Sequence, residues 1–179
     1  MAGSTICPAC GVQLPASNWE KDPKQNYSPE CWQLYGEVSG FELNHVELLR
    51  FHQITVDAYG AQHVGGDGRG IRAAYSLVGL HLAFDRGLNG VEVRSAHQQM
   101  GKPDATWPAF MPPPNAGGLT VLDVAKAGVR TDSVSGHADA IQRWATEAWR
   151  AWTPQHSTVS ALTDRLLAGF LARLPRPDP

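Results

Sequence analysis

Three cysteines near the start of the chain have the spacing of metal ligands. Cys7 and Cys10 lie in a Cys-Pro-Ala-Cys-Gly sequence at 7–11, and Cys31 completes the three cysteines among the 179 residues. Two thiolates at this spacing can bind one ion because the backbone between them folds back, and zinc prefers four tetrahedral sulfur and nitrogen ligands. Gly11 supplies the conformational freedom that such a turn needs. The sequence therefore predicts a Zn²⁺ site on Cys7, Cys10 and Cys31.

A fourth ligand is expected from His45, His52 or His63, or from an acidic side chain. If the helices on either side of the glycine-rich 65–70 segment form an antiparallel hairpin, His52 lies level with His81. His52 and His63 are ~16 Å apart along a continuous helix, so they cannot both bind one ion. We expect His52 to be the ligand, ahead of His45 and His63.

The expected role of this zinc is structural, because three thiolates leave little room for an open coordination position. Three free thiols are one alternative. A redox Cys-x-x-Cys pair is another, but such pairs usually open a helix after a strand in a β-α-β unit, and the sequence shows no such unit.

A second group of titratable residues is expected on two neighbouring helices. Asp57 and His63 lie on the first, and His81 and Asp85, four residues apart, share a face of the second. These four are the candidate catalytic residues. The simpler hypothesis is that they support the zinc ligands; the alternative is a catalytic or second metal site between the helices. Surface or capping positions are expected for His97, His137 and His156.

The hydrophobic pattern predicts a mainly α fold, a helical bundle-like single domain over 1–179. Residues 1–27 are expected to form a loop-dominated zinc knuckle, 28–174 the helical body and 175–179 a frayed tail. Helices are predicted at about 28–38, 43–63, 71–86, 120–128, 135–152 and 154–173. The Gly-rich segment at 65–70 fits a flexible turn better than a phosphate-binding loop, because no strand precedes it.

Between these helices, residues 88–118 are predicted to form a long proline-rich loop. The segment contains a Trp-Pro pair and three consecutive prolines. Such residues interrupt regular structure, and only a short strand at 91–94 is expected within the loop.

Composition limits the possible partners. The formal net charge is −2, from 15 basic and 17 acidic residues, without the basic surface typical of nucleic-acid-binding proteins. No apolar run approaches the ~20 residues of a membrane span, and no signal peptide is evident. These features predict a cytoplasmic protein whose partner is a protein or a small molecule.

Several motifs together resemble an uncharacterised bacterial family catalogued as a domain of unknown function. They are Cys-Pro-x-Cys-Gly at 7–11, Ser-Pro-x-Cys-Trp-x-x-Tyr-Gly-Glu-Val at 28–38, His-Gln-x-Thr-Val-Asp-Ala-Tyr-x-x-Gln-His at 52–63 and a late tryptophan-rich helix at 144–152. The similarity covers almost the whole chain, although Val64-Gly65 replaces the family's Pro-Gly after His63. It implies a small soluble bacterial protein in which His52, His63 and His81 share a site, and it implies no activity.

Two hypotheses for function follow. The first is a zinc-stabilised binding or regulatory module that uses residues 88–118 to contact its partner. The second is a zinc-dependent, hydrolase-like enzyme in which Asp57, His63 or Asp85 acts as the general base.

Overall fold

The N-terminal segment forms a small β-hairpin. The structure is a computed structural model that describes residues 3–65, 70–101, 106–115 and 117–174. Strands β1 (Ser4–Ile6) and β2 (Gln13–Pro15) pair antiparallel, with Thr5 opposite Leu14. A loop-dominated segment was predicted here from the sequence, and these two short strands were not. Strands of three residues are too short to show an alternating pattern in the sequence.

Helix α1 (Pro29–Leu43) begins as its sequence predicts and ends later. The Ser28 hydroxyl accepts a hydrogen bond from the Cys31 backbone N–H, and Pro29 occupies the first turn. The helix continues past the expected stop near residue 38 because Val38 and Glu42 both face the interior. It ends at Asn44, so the predicted helix at 43–63 is divided.

Helices α2 (Leu49–Gln62) and α3 (Gly70–Phe84) pack closely against each other. A 3-10 turn at Val46–Leu48 leads into α2. The predicted flexible turn falls largely on residues 66–69, which lie outside the described residues, as does the predicted tail at 175–179.

Helix α4 (Gly90–Met100) occupies a segment that was predicted to be a loop with a short strand. Asn89 and Glu92 form a reciprocal capping box at its start. Val93, Ala96 and Met100 are fully buried on one face, which is the i, i+3, i+7 pattern of an amphipathic helix. The described residues that follow it, 106–115 and 117–120, contain no helix or strand, so the predicted loop at 88–118 is correct only for its later part.

Three further helices complete the mainly α fold: α5 (Val121–Ala127), α6 (Val134–Ala151) and α7 (His156–Leu171). Helix α2 is central, since it contacts α1, α3, α4 and α6. The largest fully buried side chains include Trp144, Trp152 and Leu77. In the described part of the chain, no helix is both long enough and apolar enough to cross a membrane.

Candidate metal centre

The three cysteines meet where the β-hairpin contacts the start of α1. Cys7 and Cys10 occupy the tight turn between β1 and β2, closed by a 2.9 Å hydrogen bond from the Gly11 N–H to the Cys7 carbonyl. Gly11 has a φ of 74°, a conformation that glycine adopts without strain. Cys31 lies in the first turn of α1, and its Sγ is 3.8 Å from that of Cys10. The convergence predicted for these residues is confirmed.

His63, directly after α2, brings a fourth potential ligand atom to the three sulfurs. Its Nε2 is 3.5 Å from Cys7 Sγ and 3.5 Å from Cys31 Sγ. The four potential ligand atoms of Cys7, Cys10, Cys31 and His63 all lie within 4.8 Å of one another. Together they form a Cys₃His group, one of the ligand sets that structural zinc sites use.

The spacing of the ligand atoms fits a tetrahedral zinc ion. Bonds of about 2.3 Å to sulfur and 2.0 Å to nitrogen place two sulfurs ~3.8 Å apart, and a sulfur and a nitrogen ~3.5 Å apart. These values match the Cys10–Cys31 distance and both distances to His63. The residues present therefore have a donor set and a spacing that could hold Zn²⁺.

Hydrogen bonding prepares the His63 ring for this role. Its Nδ1 donates to the Tyr59 carbonyl oxygen at 2.6 Å, one helical turn earlier. With the proton on Nδ1, the lone pair of Nε2 faces the sulfurs, as metal-ligating histidines require. The Tyr59 ring stacks on the imidazole at 4.0 Å, and its hydroxyl lies 3.6 Å from Cys31 Sγ. Tyr59 therefore orients both a nitrogen and a sulfur ligand.

Without a cation, the site holds competing ionisable groups. Contact with the Cys10 and Cys31 thiols lowers the pKa of Cys7, whereas contact with Cys10 and Cys7 raises the pKa of Cys31. Burial opposes protonation of His63, but hydrogen bonds to Cys10 and Cys7 raise its pKa to about 9. The thiols cannot all ionise side by side, and a divalent cation is the group that removes this conflict.

The structure does not place His52 at this centre, which corrects the ligand prediction. His52 Nδ1 is 2.7 Å from Oε2 of Glu42. Helix α2 is continuous from residue 49 to 62, so its rise separates the two histidines and brings His63 alone to the sulfurs. The other alternative, His45, has its Nδ1 2.8 Å from the Phe41 carbonyl oxygen.

The remaining candidate residues are divided among different sites. His81 Nδ1 is 2.8 Å from Asp85, which also accepts a hydrogen bond from Trp149. His52, His63 and His81 therefore do not form the shared site that the family resemblance implied. Asp57 lies on the face of α2 that meets α3 and α4, where its nearest titratable neighbour is His97.

Two histidines that were expected at surface or capping positions have largely buried side chains. His137 is fully buried, with its Nε2 3.1 Å from Glu42, and the His97 side chain is only 10% exposed. His156 stacks on Trp149 at 3.7 Å. Short-range patterns gave no sign of these contacts, because each partner is on a different helix or on a distant turn.

A cavity of about 850 Å³ adjoins the metal centre. Tyr59 and His63 belong to both, because their side chains reach the sulfurs and also line the cavity. Five of the residues that line it are tyrosines or tryptophan: Tyr27, Trp32, Tyr35, Tyr59 and Tyr75. The arrangement gives the fold a concave, largely apolar surface of the size that small ligands occupy.

Comparison with known proteins identifies a family. Residues 5–153 match a family model described as "Family of unknown function (DUF5946)". No curated protein and no solved structure matches the chain. Since the family model spans most of the sequence, including all four residues of the metal centre, the chain belongs to the DUF5946 family.

Proposed function

We propose that this protein is a zinc-stabilised module that binds a small molecule. Cys7, Cys10, Cys31 and His63 hold the zinc ion, which joins the N-terminal hairpin to α1 and α2. The cavity beside the ion is the ligand site. The observation that carries this proposal is that the Cys₃His group and the cavity share Tyr59 and His63.

A structural role for the metal is supported by the ligand count. Four protein atoms satisfy tetrahedral zinc, so no position remains for a water molecule to be activated. Cys7 and Cys31 are also 1% and 0% exposed, so two of the four ligands are shielded from solvent. These features argue against the hydrolase-like alternative, in which His63 would serve as a base and not as a ligand.

A small-molecule partner is supported over a protein partner by the shape of the surface. The cavity is concave and lies between α2, α3 and the segment 24–35. The segment 88–118 was the expected contact arm, but residues 90–100 of it form a helix whose apolar face is buried in the core.

Metal analysis of two histidine variants tests the ligand assignment. The purified protein is expected to contain one zinc per chain, and His63→Ala is expected to lower that content or weaken zinc retention against a chelator. His52→Ala is the matched control on the same helix and is expected to keep the zinc. Cobalt substitution should give the absorption spectrum of a four-coordinate ion with thiolate ligands.

Two results would contradict the proposal. One is a wild-type protein without stoichiometric metal. The other is a five-coordinate cobalt spectrum that responds to added anions, because this would reveal an open position.

A further inference from the structure

The floor of the cavity contains a carboxyl group that lacks a cationic partner. Asp57 is 2% exposed, and its Oδ1 accepts one hydrogen bond, at 3.1 Å, from Gln53 on the same helix. Its Oδ2 is buried and has no hydrogen-bond partner among the described residues. Buried carboxylates are normally paired with a cation or with several donors.

His97 does not serve as that partner. Its Nε2 is 3.9 Å from Asp57 Oδ2, too long for a hydrogen bond, and it also lacks a partner among the described residues. Burial lowers the pKa of His97 to about 4, so the imidazole is neutral at physiological pH. Two unsatisfied polar groups therefore face each other among the residues that line the cavity.

The sequence makes specific room for this carboxyl group. Gly79 on α3 lies directly opposite it, and a Cβ added at that position would overlap Asp57 Oδ2 and lie 3.0 Å from the His97 ring. A polar group of this kind is costly to bury, and an apolar residue would fill the same space without that cost. The placement is explained if the Asp57 side chain, which lines the cavity, turns toward it and a ligand there supplies the missing partner.

We propose that the cavity binds a small aromatic molecule bearing a protonated amidine or amine, whose charge is neutralised when Asp57 releases its proton to solvent on binding. This inference rests on the proposed function, because it takes the cavity to be the ligand site. The rings of Tyr27, Tyr35 and Tyr75 line the cavity and offer contact surfaces for the aromatic part and electron-rich faces for the cation, whereas Tyr59 is already stacked with Tyr35 and His63.

The basic residues of the cavity do not compete for this position. Lys24 and Arg72 also line it, but both are exposed, so water and salt screen their repulsion of a bound cation. Arg72 is further engaged by a 3.0 Å hydrogen bond to Gln25. An ion pair at the floor is therefore favoured over repulsion at the mouth.

Benzamidine and benzamide form a matched pair of probes, because they share a shape and differ in charge. We expect benzamidine, titrated into the zinc-loaded full chain, to shift the NMR signals of cavity residues and to bind at least about tenfold more tightly than benzamide, as a charged hydrogen bond would provide. Asp57→Asn should bring the two affinities close together. Asp139→Asn, an exposed change on α6, should preserve the difference.

A second variant tests the site without altering the carboxyl group. Ile71 is 38% exposed and lines the cavity, so Ile71→Trp should narrow the mouth and weaken both probes. Equal affinities for the two probes in the wild type, signals shifting only outside the cavity, or an unchanged ratio in Asp57→Asn would overturn the proposal.

Zinc content measured on the same samples separates the two proposals. If the protein holds zinc and both probes bind the cavity equally, the preference for a cation is wrong and the binding module stands. If the protein holds no zinc, the proposed function fails whatever the probes do.

Discussion

At the residue scale, two buried carboxyl groups, those of Glu42 and Asp57, differ in how many hydrogen-bond partners they have. Glu42 is 0% exposed and fully partnered, with His52, Thr55 and His137 all within 3.1 Å of its oxygens. Asp57 is equally buried but has one hydrogen-bond donor. The hydrogen bonds of Glu42 connect α1 to α2 and α6. The carboxyl group of Asp57 keeps an unused hydrogen-bonding position, which we propose a ligand fills.

The imbalance at Asp57 predicts a pH-dependent cost to stability. Burial raises the pKa of Asp57 well above its usual value, so the folded protein keeps the proton while the unfolded chain releases it above about pH 4. The contribution of Asp57 to the free energy of unfolding therefore falls as pH rises, by up to about 1.4 kcal/mol per pH unit, until the pKa of the folded state is reached. The Asp57→Asn variant lacks this loss.

Urea denaturation of both zinc-loaded proteins at pH 5, 6 and 7 measures the effect. The free energy of unfolding of Asp57→Asn minus that of wild type should increase with pH. His97 is present in both proteins, so its own titration largely cancels. A difference that stays constant or decreases would show that Asp57 is ionised in the folded state.

At the element scale, the close approach of α2, α3 and α4 depends on small residues. Gly79 admits Asp57, and Gly90 lies so near α2 that an added Cβ would be 2.6 Å from the Arg50 carbonyl oxygen. Side chains at these positions would separate the helices, because packed backbones have no room to relax. The cavity and its floor thus depend on glycines as much as on aromatic rings.

A pair of glycine-to-alanine variants tests this dependence. Gly79→Ala forces a methyl group onto Asp57 and should lower the free energy of unfolding by about 1–3 kcal/mol. Gly36→Ala, in α1, meets no atom within 4 Å and should raise it by about 0.5–1 kcal/mol through better helix propensity. Thermal or urea unfolding measures both; a stabilised Gly79→Ala would contradict the packing described here.

Sequence patterns predicted the helices more reliably than the contacts between them. The pattern of apolar residues located α3, α6 and α7 because in each helix these residues recur at helical spacing. Helix α4 was missed because the neighbouring prolines suggested a loop, although the Asn89–Glu92 capping box and the spacing of Val93, Ala96 and Met100 were visible. The three cysteines were predicted from spacing alone.

The fourth ligand could not be predicted from spacing. Its identity depends on where α2 begins and ends, and on Glu42, which lies ten residues before His52 and occupies that histidine. The contact between Glu42 and His52 could not be predicted without knowing that α1 continues past Ser39 and Gly40. The contact that orients His63 gives no sequence signal either, because the Tyr59 carbonyl is a backbone group, and His45 makes the same contact with the carbonyl of Phe41.

At the scale of the whole molecule, we expect the hairpin to be the part that depends most on the proposed zinc ion. Its strands have three residues each, whereas α6 is anchored by fully buried Trp144. A two-stranded hairpin of this size is marginal without further support. Removal of zinc should therefore loosen residues 4–15 and the start of α1 and leave the helical core folded.

Hydrogen exchange before and after chelation measures this effect. Amides of β1, β2 and the first turn of α1 should exchange at least about tenfold faster without zinc, a change of about 1.4 kcal/mol in local opening. Amides in the middle of α6 should keep their rates. Chelator already saturated with zinc is the control, and a uniform increase across all helices would instead indicate global unfolding.

Because Tyr59 and His63 lie between the proposed zinc site and the cavity, binding at one site is expected to change the affinity of the other. If a ligand in the cavity changes the affinity of the protein for zinc by some factor, zinc changes the affinity of the protein for that ligand by the same factor. This follows because the four binding free energies form a closed thermodynamic cycle. A chain that retains zinc more firmly when its partner is abundant would thereby report on that partner's concentration.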